Sequence, residues 1–149
     1  MLEEELAAYA GDYNGDGAVK TVLHMYLCAD EDSTAEARQP AAASEIALAG
    51  DINDCESYLF LMEDPARVQL DWQILARADG SCPEPSDYAA GDKTLPLSAL
   101  PLDLSGVTDE EDLAVLRTLQ AGRRCFYTDR TCRHREELEA FWAALTGSR

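Results

Sequence analysis

Asp12, Asn14 and Asp16 stand two residues apart in the chain, and Gly17 and Ala18 follow at once. Short oxygen-bearing side chains at alternate positions can turn together toward one point. Calcium, a hard cation that takes about six to eight oxygens, is the species such a loop suits. Gly17 permits the sharp bend, and Ala18 stands where a backbone carbonyl would complete the arc. The spacing therefore predicts a structural calcium ion held by Asp12, Asn14, Asp16 and the Ala18 carbonyl. The twelfth position of the loop is Leu23, not the bidentate glutamate of an EF-hand. The apolar run from Val19 predicts a strand, not an exit helix. A complete EF-hand or dockerin repeat is thereby excluded, and a further carboxylate must come from elsewhere, with Asp30, Asp32, Asp51 and Asp54 as candidates. The same residues also suit a metal-free Asx/Gly turn.

Other chemistry-bearing groups are less ordered. Arg117, Arg123, Arg124, Arg130, Arg133, His134 and Arg135 cluster in the last third of the chain. They suit either an anion site or, the preferred reading, neutralisation of the acidic half or a solvated face, because so many carboxylates need partners. Cys125 and His134 could form a nucleophile pair, but no third orienting residue is distinguishable. Glu136, Glu137 and Glu139 read as early helix turns that complement the dipole. Trp72 and Trp142 fall on apolar helical faces, and His24 falls within the predicted first strand, so packing roles are expected. No glycine-rich phosphate loop follows a strand. No catalytic residue is assigned.

Five cysteines are present, at positions 28, 55, 82, 125 and 132, without a C-x-x-C pair. They are read mainly as interior free thiols, with one disulfide, such as Cys125–Cys132, if the protein is exported. The formal net charge is −17, and it is uneven. Residues 1–65 hold 15 acidic residues against Lys20 and Arg38, whereas residues 66–149 hold 14 against 10 basic ones. A chain with this balance lacks the positive footprint that nucleic acid requires. No apolar run is long enough to span a membrane. No charged-then-apolar leader opens the chain, so the expectation is a cytosolic protein or one whose export signal has been removed.

The elements that must position these groups follow from periodicity and caps. A short helical lead-in is predicted over 3–10, then the loop, then a strand over 18–28 that is apolar on both faces. Ser33 to Glu36 has a capping-box pattern opening an alanine-rich helix to about Ala49, which Pro40 should kink or restart and Gly50 should stop. A strand is predicted over 57–62. Asp64-Pro65 then opens a helix with Val68, Trp72, Leu75 and Ala76 on one face. Residues 79–106 read as a long loop with an edge strand near 94–97. Thr108 to Glu111 caps a helix that ends at Gly122. A strand over 124–128 and a helix over 132–146, with Leu138, Phe141, Trp142 and Leu145 inward, complete the chain. Helices between strands predict an α/β fold: a single domain over 1–149, with three to five mostly parallel strands flanked by helices.

The segment Ser44-Glu45-Ile46-Ala47-Leu48-Ala49-Gly50-Asp51-Ile52-Asn53-Asp54, followed by Tyr58 to Met62, resembles bacterial extracellular solute-binding proteins of ABC transporters. Some such lipoproteins of gut Firmicutes also carry a loop similar to Asp12 to Gly17 before the first strand. The resemblance covers about residues 10–76, and the family has two lobes where this chain has room for one. It implies a non-enzymatic, secreted or lipid-anchored domain related to a single lobe. The expected partners are a small solute or a protein, with membrane contact only through a removed lipid anchor, and a monomer is expected. A dockerin-like adaptor module and, behind it, a small hydrolase using the 79–106 loop are the alternatives.

Overall fold

The computed structural model describes residues 1–12, 15–28, 32–55, 57–126 and 134–147. They divide into two units, one of 1–21 with 58–149 and one of 22–57.

The first unit is built on a three-stranded sheet of β1 (Leu59–Met62), β2 (Thr94–Pro96) and β3 (Gln120–Arg123). The order is β1-β3-β2, and both pairings are antiparallel. This corrects the expected mostly parallel sheet. The reason is visible where β2 leaves and β3 enters. Leu97 N–H donates to the Leu119 carbonyl at 2.9 Å, so the connection 97–119 starts and ends at the same end of the sheet. It contains a 3-10 turn (Leu97–Ala99) and a helix, yet it is a wide hairpin and not a crossover. Helices between strands in sequence therefore do not fix strand direction here.

β3 also lies earlier than the predicted strand over 124–128. The helix α4 (Glu110–Thr118) stops before Leu119, and Gly122 falls inside the strand instead of ending the helix. A Cβ on Gly122 would meet Leu75 Cδ2 and Met62 Cε, each at 3.0 Å. The space beside the glycine is thus filled by its neighbours, and Ala121 is fully buried on the core side.

Asp64 caps α3 (Pro65–Trp72) by accepting from Arg67 N–H at 3.1 Å, as its position before proline predicts. The helix ends at Gln73 in the left-handed region, before Leu75 and Ala76, which helical spacing had included. Residues 74–76 instead run beside the end of β3. Ala76 N–H donates to the Arg123 carbonyl at 2.9 Å, and Cys125 N–H to the Ile74 carbonyl at 2.7 Å. Buried Gln69 holds this exit. Its Oε1 accepts from Leu75 N–H at 3.1 Å, and its Nε2 donates to the Asp87 carbonyl at 3.0 Å.

The last helix, α5 (Arg135–Thr146), buries Phe141, Trp142 and Leu145 and ends at Gly147 with φ 67°, close to expectation. The core joins Leu6, Tyr58, Leu97, Leu100, Ala121, Phe126 and this α5 face. Leu6 comes from α1 (Leu2–Ala7), which is shorter than the predicted 3–10 helix. The Tyr9 hydroxyl donates to the Pro101 carbonyl at 2.7 Å, and Asp103 N–H donates to Glu5 Oε2 at 3.1 Å.

The second unit contains α2 (Ala35–Asp54), capped by Thr34 and closed at Cys55 in the left-handed region. It continues through Pro40 and past Gly50, where the sequence predicted a stop. Its apolar residues do not gather on one face, and Ala41 is its buried residue. Residues 18–28 form no strand, contrary to expectation. Val19, Val22, Leu23, Met25 and Leu27 along that segment are exposed, Met25 by 87%. Apolar alternation supplies a face, but a strand also needs a ladder partner.

Candidate functional site

The loop 76–94 is folded by its own carboxylates. Asp79 Oδ1 accepts from Ser81 N–H at 2.9 Å and from the Ser81 hydroxyl at 2.6 Å. Asp87 Oδ1 accepts from Ala89 N–H at 3.1 Å. Cys82, in the same loop, is disulfide-bonded to Cys125 with Cα atoms 5.4 Å apart. This corrects both the expected Cys125–Cys132 pairing and the reading of interior free thiols. Cys55 is also disulfide-bonded, and Cys28 is a free, exposed thiol. Cys132 lies outside the described residues. With its sulfur in a disulfide, Cys125 offers no thiolate to a Cys125–His134 pair.

Within this stapled loop Lys93 is buried, its side chain 0% exposed. The ammonium donates to the Ala89 carbonyl and lies 3.2 Å from Asp87 Oδ2 and 3.0 Å from Asp92 Oδ1. Its three N–H groups are thereby matched, which is what a buried ammonium requires. Arg77 joins the same carboxylates, with Nη2 3.3 Å from Asp87 and Nε 3.9 Å from Asp92. The Lys93 hydrogen bond, then the Ala89 amide and Arg77, hold the Asp87 carboxyl below the ordinary aspartate range.

Arg123 enters from the end of β3. Its Nη1 bonds to Glu139 Oε2 of α5 at 2.5 Å, and its Nη2 donates to the Ala78 carbonyl at 3.0 Å. The guanidinium lies 5.3 Å from the Trp142 ring centroid, within cation–π range. Gly80, at φ 84°, lets the loop approach, since a Cβ there would lie 3.0 Å from Nη2. Arg123 Nε is buried and has no hydrogen-bond partner among the described residues.

These groups line a cavity of about 110 Å³. Arg77, Asp92, Lys93, Thr94, Arg123 and Trp142 contribute, with Ala76, Ala78 and Leu95 as apolar wall. Buried Lys93 and Arg123 lie at its floor, and half-exposed Arg77 and exposed Asp92 lie at its mouth. The cavity has room for roughly three or four waters, and the charged groups around it are paired with one another.

Sequence reasoning had Arg123 only as one of a run of basic residues, and it missed Arg77 and Lys93. No spacing rule joins position 77 to 93 and 123. The run itself disperses. Arg123 pairs with Glu139 of the same half of the chain, not with the acidic first half. Arg135 lies 4.9 Å from the Phe126 ring centroid. Arg124 is buried, and Arg130 and Arg133 lie outside the described residues.

The Asp12 loop carries hydrogen bonds from its own backbone to its own carboxylates. Asp12 Oδ1 accepts from Gly15 N–H at 2.8 Å and Asp16 N–H at 3.3 Å, and Oδ2 accepts from Gly17 N–H at 2.7 Å. Asp16 Oδ1 accepts from Ala18 N–H at 2.9 Å. Gly15 and Gly17 both have positive φ, so the bend is the one the glycines predict. Asn14 lies outside the described residues. Asp12 and Asp16 alone fall short of calcium's oxygen count, and among the described residues no group of three or more His, Cys, Asp or Glu is placed to hold a metal. Of the proposed extra donors, Asp30 is outside the described residues, and Asp51 Oδ2 is bonded to His24 Nδ1 at 3.0 Å in the second unit. The Tyr26 hydroxyl lies 3.3 Å from that same nitrogen. His24, expected in a strand, is thus held by a carboxylate that sequence reasoning had offered to a metal.

Among the described residues no helix is long and apolar enough to cross a membrane. Comparison with protein-family models, with curated proteins and with solved structures finds no match to this chain.

Proposed function

We propose that this chain is a non-enzymatic, extracytoplasmic binding or accessory domain of the solute-binding type. The observation that carries the reading is the cavity beside the sheet, where cationic and apolar walls meet under a disulfide-tied loop. A concave site with a few polar groups set in an apolar wall is the kind of lining that small-molecule sites use. The carboxylates there are spent on Lys93, Arg77 and Arg123, so they are poor candidates for moving protons.

The disulfides support a protein that folds in an oxidising compartment. Production in an oxidising and in a reducing cytoplasm tests this. The protein from the oxidising host resists alkylation at Cys82 and Cys125 and melts higher. Equal melting temperatures would count against an extracytoplasmic home. The solute reading is tested by thermal melting against a panel of small metabolites, and a panel that leaves the midpoint unmoved overturns it.

The Asp12 loop enters as a structural element. Calcium held by Asp12, Asn14, Asp16 and the Ala18 carbonyl remains our proposal for it, with the remaining oxygens from water or another carboxylate. Melting with calcium and with chelator decides. A higher midpoint with calcium, abolished by Asp16→Ala, is expected, and identical curves reject the ion.

A further inference from the structure

We infer that residues 22–28 dock an extended, basic segment of a partner protein, which completes the strand that this segment does not form alone. The residue types alternate as a strand's do. Leu23, Met25 and Leu27 would share one face of an extended chain, and His24 and Tyr26 the other. The second set is tied down. His24 Nδ1 lies 3.0 Å from Asp51 Oδ2 on α2, and the Tyr26 hydroxyl lies 3.3 Å from the same nitrogen. The first set is exposed, Leu23 by 44%, Met25 by 87% and Leu27 by 54%. Apolar side chains of one parity in water, with the polar parity anchored to a helix, are what a site for strand addition presents.

Charge chooses the occupant. Residues 22–57 hold eight acidic residues against Arg38, and the whole chain carries −17. A second copy would bring the same excess, so like-charge repulsion opposes self-pairing. A segment that alternates lysine or arginine with aliphatic residues meets both features of the site. Its aliphatic face covers Leu23, Met25 and Leu27, and its backbone supplies the ladder. Its cations then fall on the face of His24, the side of α2, which carries Glu36, Glu45, Asp51 and Asp54.

The test titrates the full chain into a fluorescently labelled octapeptide of alternating valine and lysine, followed by anisotropy. Octapeptides of valine with glutamate and of serine with lysine are parallel probes. Saturable binding of the valine–lysine peptide is expected, with amide exchange slowed at residues 22–28. The serine–lysine peptide binds roughly tenfold or more weakly, through the loss of apolar burial, and the valine–glutamate peptide does not bind. Met25→Asp separates the apolar face from bulk charge. It adds a negative charge, so attraction by net charge alone would tighten the valine–lysine peptide, whereas loss of the face weakens it. Circular dichroism confirms that the variant is folded. If it is not, Met25→Ser replaces it, with weakening again expected. Equal or tighter binding by the folded variant, equal affinity for the serine–lysine peptide, or no saturable binding of the valine–lysine peptide overturns the docking strand. Binding of the valine–glutamate peptide as tight as that of valine–lysine overturns the basic partner. So does a dimer of the chain, seen by sedimentation, that Met25→Asp dissociates.

Discussion

Lowering the pH should loosen the 76–94 loop through Asp87 only in strong acid, after carboxylates of ordinary pKa have taken up protons. Its carboxyl is held below the ordinary value of 3.8 by Lys93 first, then by the Ala89 amide and Arg77. A carboxyl with a depressed folded-state pKa stabilises the native state at pH above its unfolded value. That contribution disappears as pH falls through the depressed one. The difference in melting temperature between the native chain and Asp87→Asn should therefore be present at neutral pH and fade only as the pH falls through the depressed value, which lies below 3.8. A difference that persists in acid would place the effect elsewhere. The Cys82–Cys125 bond acts on the same loop by another route, since it closes 43 residues of separation. Replacing both cysteines with serine should lower stability by about 2–4 kcal/mol in urea titration, the range expected for a loop of that length. Little of this was legible in the sequence. Cysteine counting leaves the pairing open, and a buried lysine looks like any other until the turn that covers it is known.

At the scale of elements, the sequence carries helix ends more clearly than it carries strand partners. Asp64-Pro65 and Gly147 mark ends that the structure keeps, because a cap is satisfied by backbone within a few residues, whereas α4 is capped by Asp109, one residue past the Thr108 of the capping-box pattern. Gly122 shows the opposite. It looked like a helix stop, yet it sits in the middle of β3, opposite Phe60 on one side and Thr94 on the other. The reason lies in Leu75 and Met62, distant in sequence, whose side chains occupy the space a Cβ would need. Gly122→Val should therefore destabilise the sheet by about 1–3 kcal/mol despite the higher strand propensity of valine. A chemical-denaturation midpoint equal to that of the native chain would refute this packing. The direction of the sheet was illegible for a related reason. It turns on the Leu97–Leu119 hydrogen bond, which closes a long connection whose residues carry no directional signal.

The two units of the molecule differ most in what they bury. Unit 1–21 with 58–149 holds the core from Leu6 to Leu145. Over 22–57, α2 is 20 residues long and buries Ala41, while Ile46 is 76% exposed. Helices of globular proteins draw most of their stability from a packed apolar face, and α2 lacks one. It also carries Pro40, whose missing N–H and ring cost a helix interior about 3 kcal/mol. Acidic residues at eight positions in 22–57, against Arg38 alone, add like-charge repulsion. Local opening should therefore be far easier in α2 than in β3 or α5. Amide hydrogen exchange followed by mass spectrometry should show residues 42–52 exchanging well before residues 120–123 and 138–145. Denaturant at a concentration below the main unfolding transition should erase the remaining protection of α2 first. Equal protection across the three segments would mean that α2 is held by packing this structure does not contain.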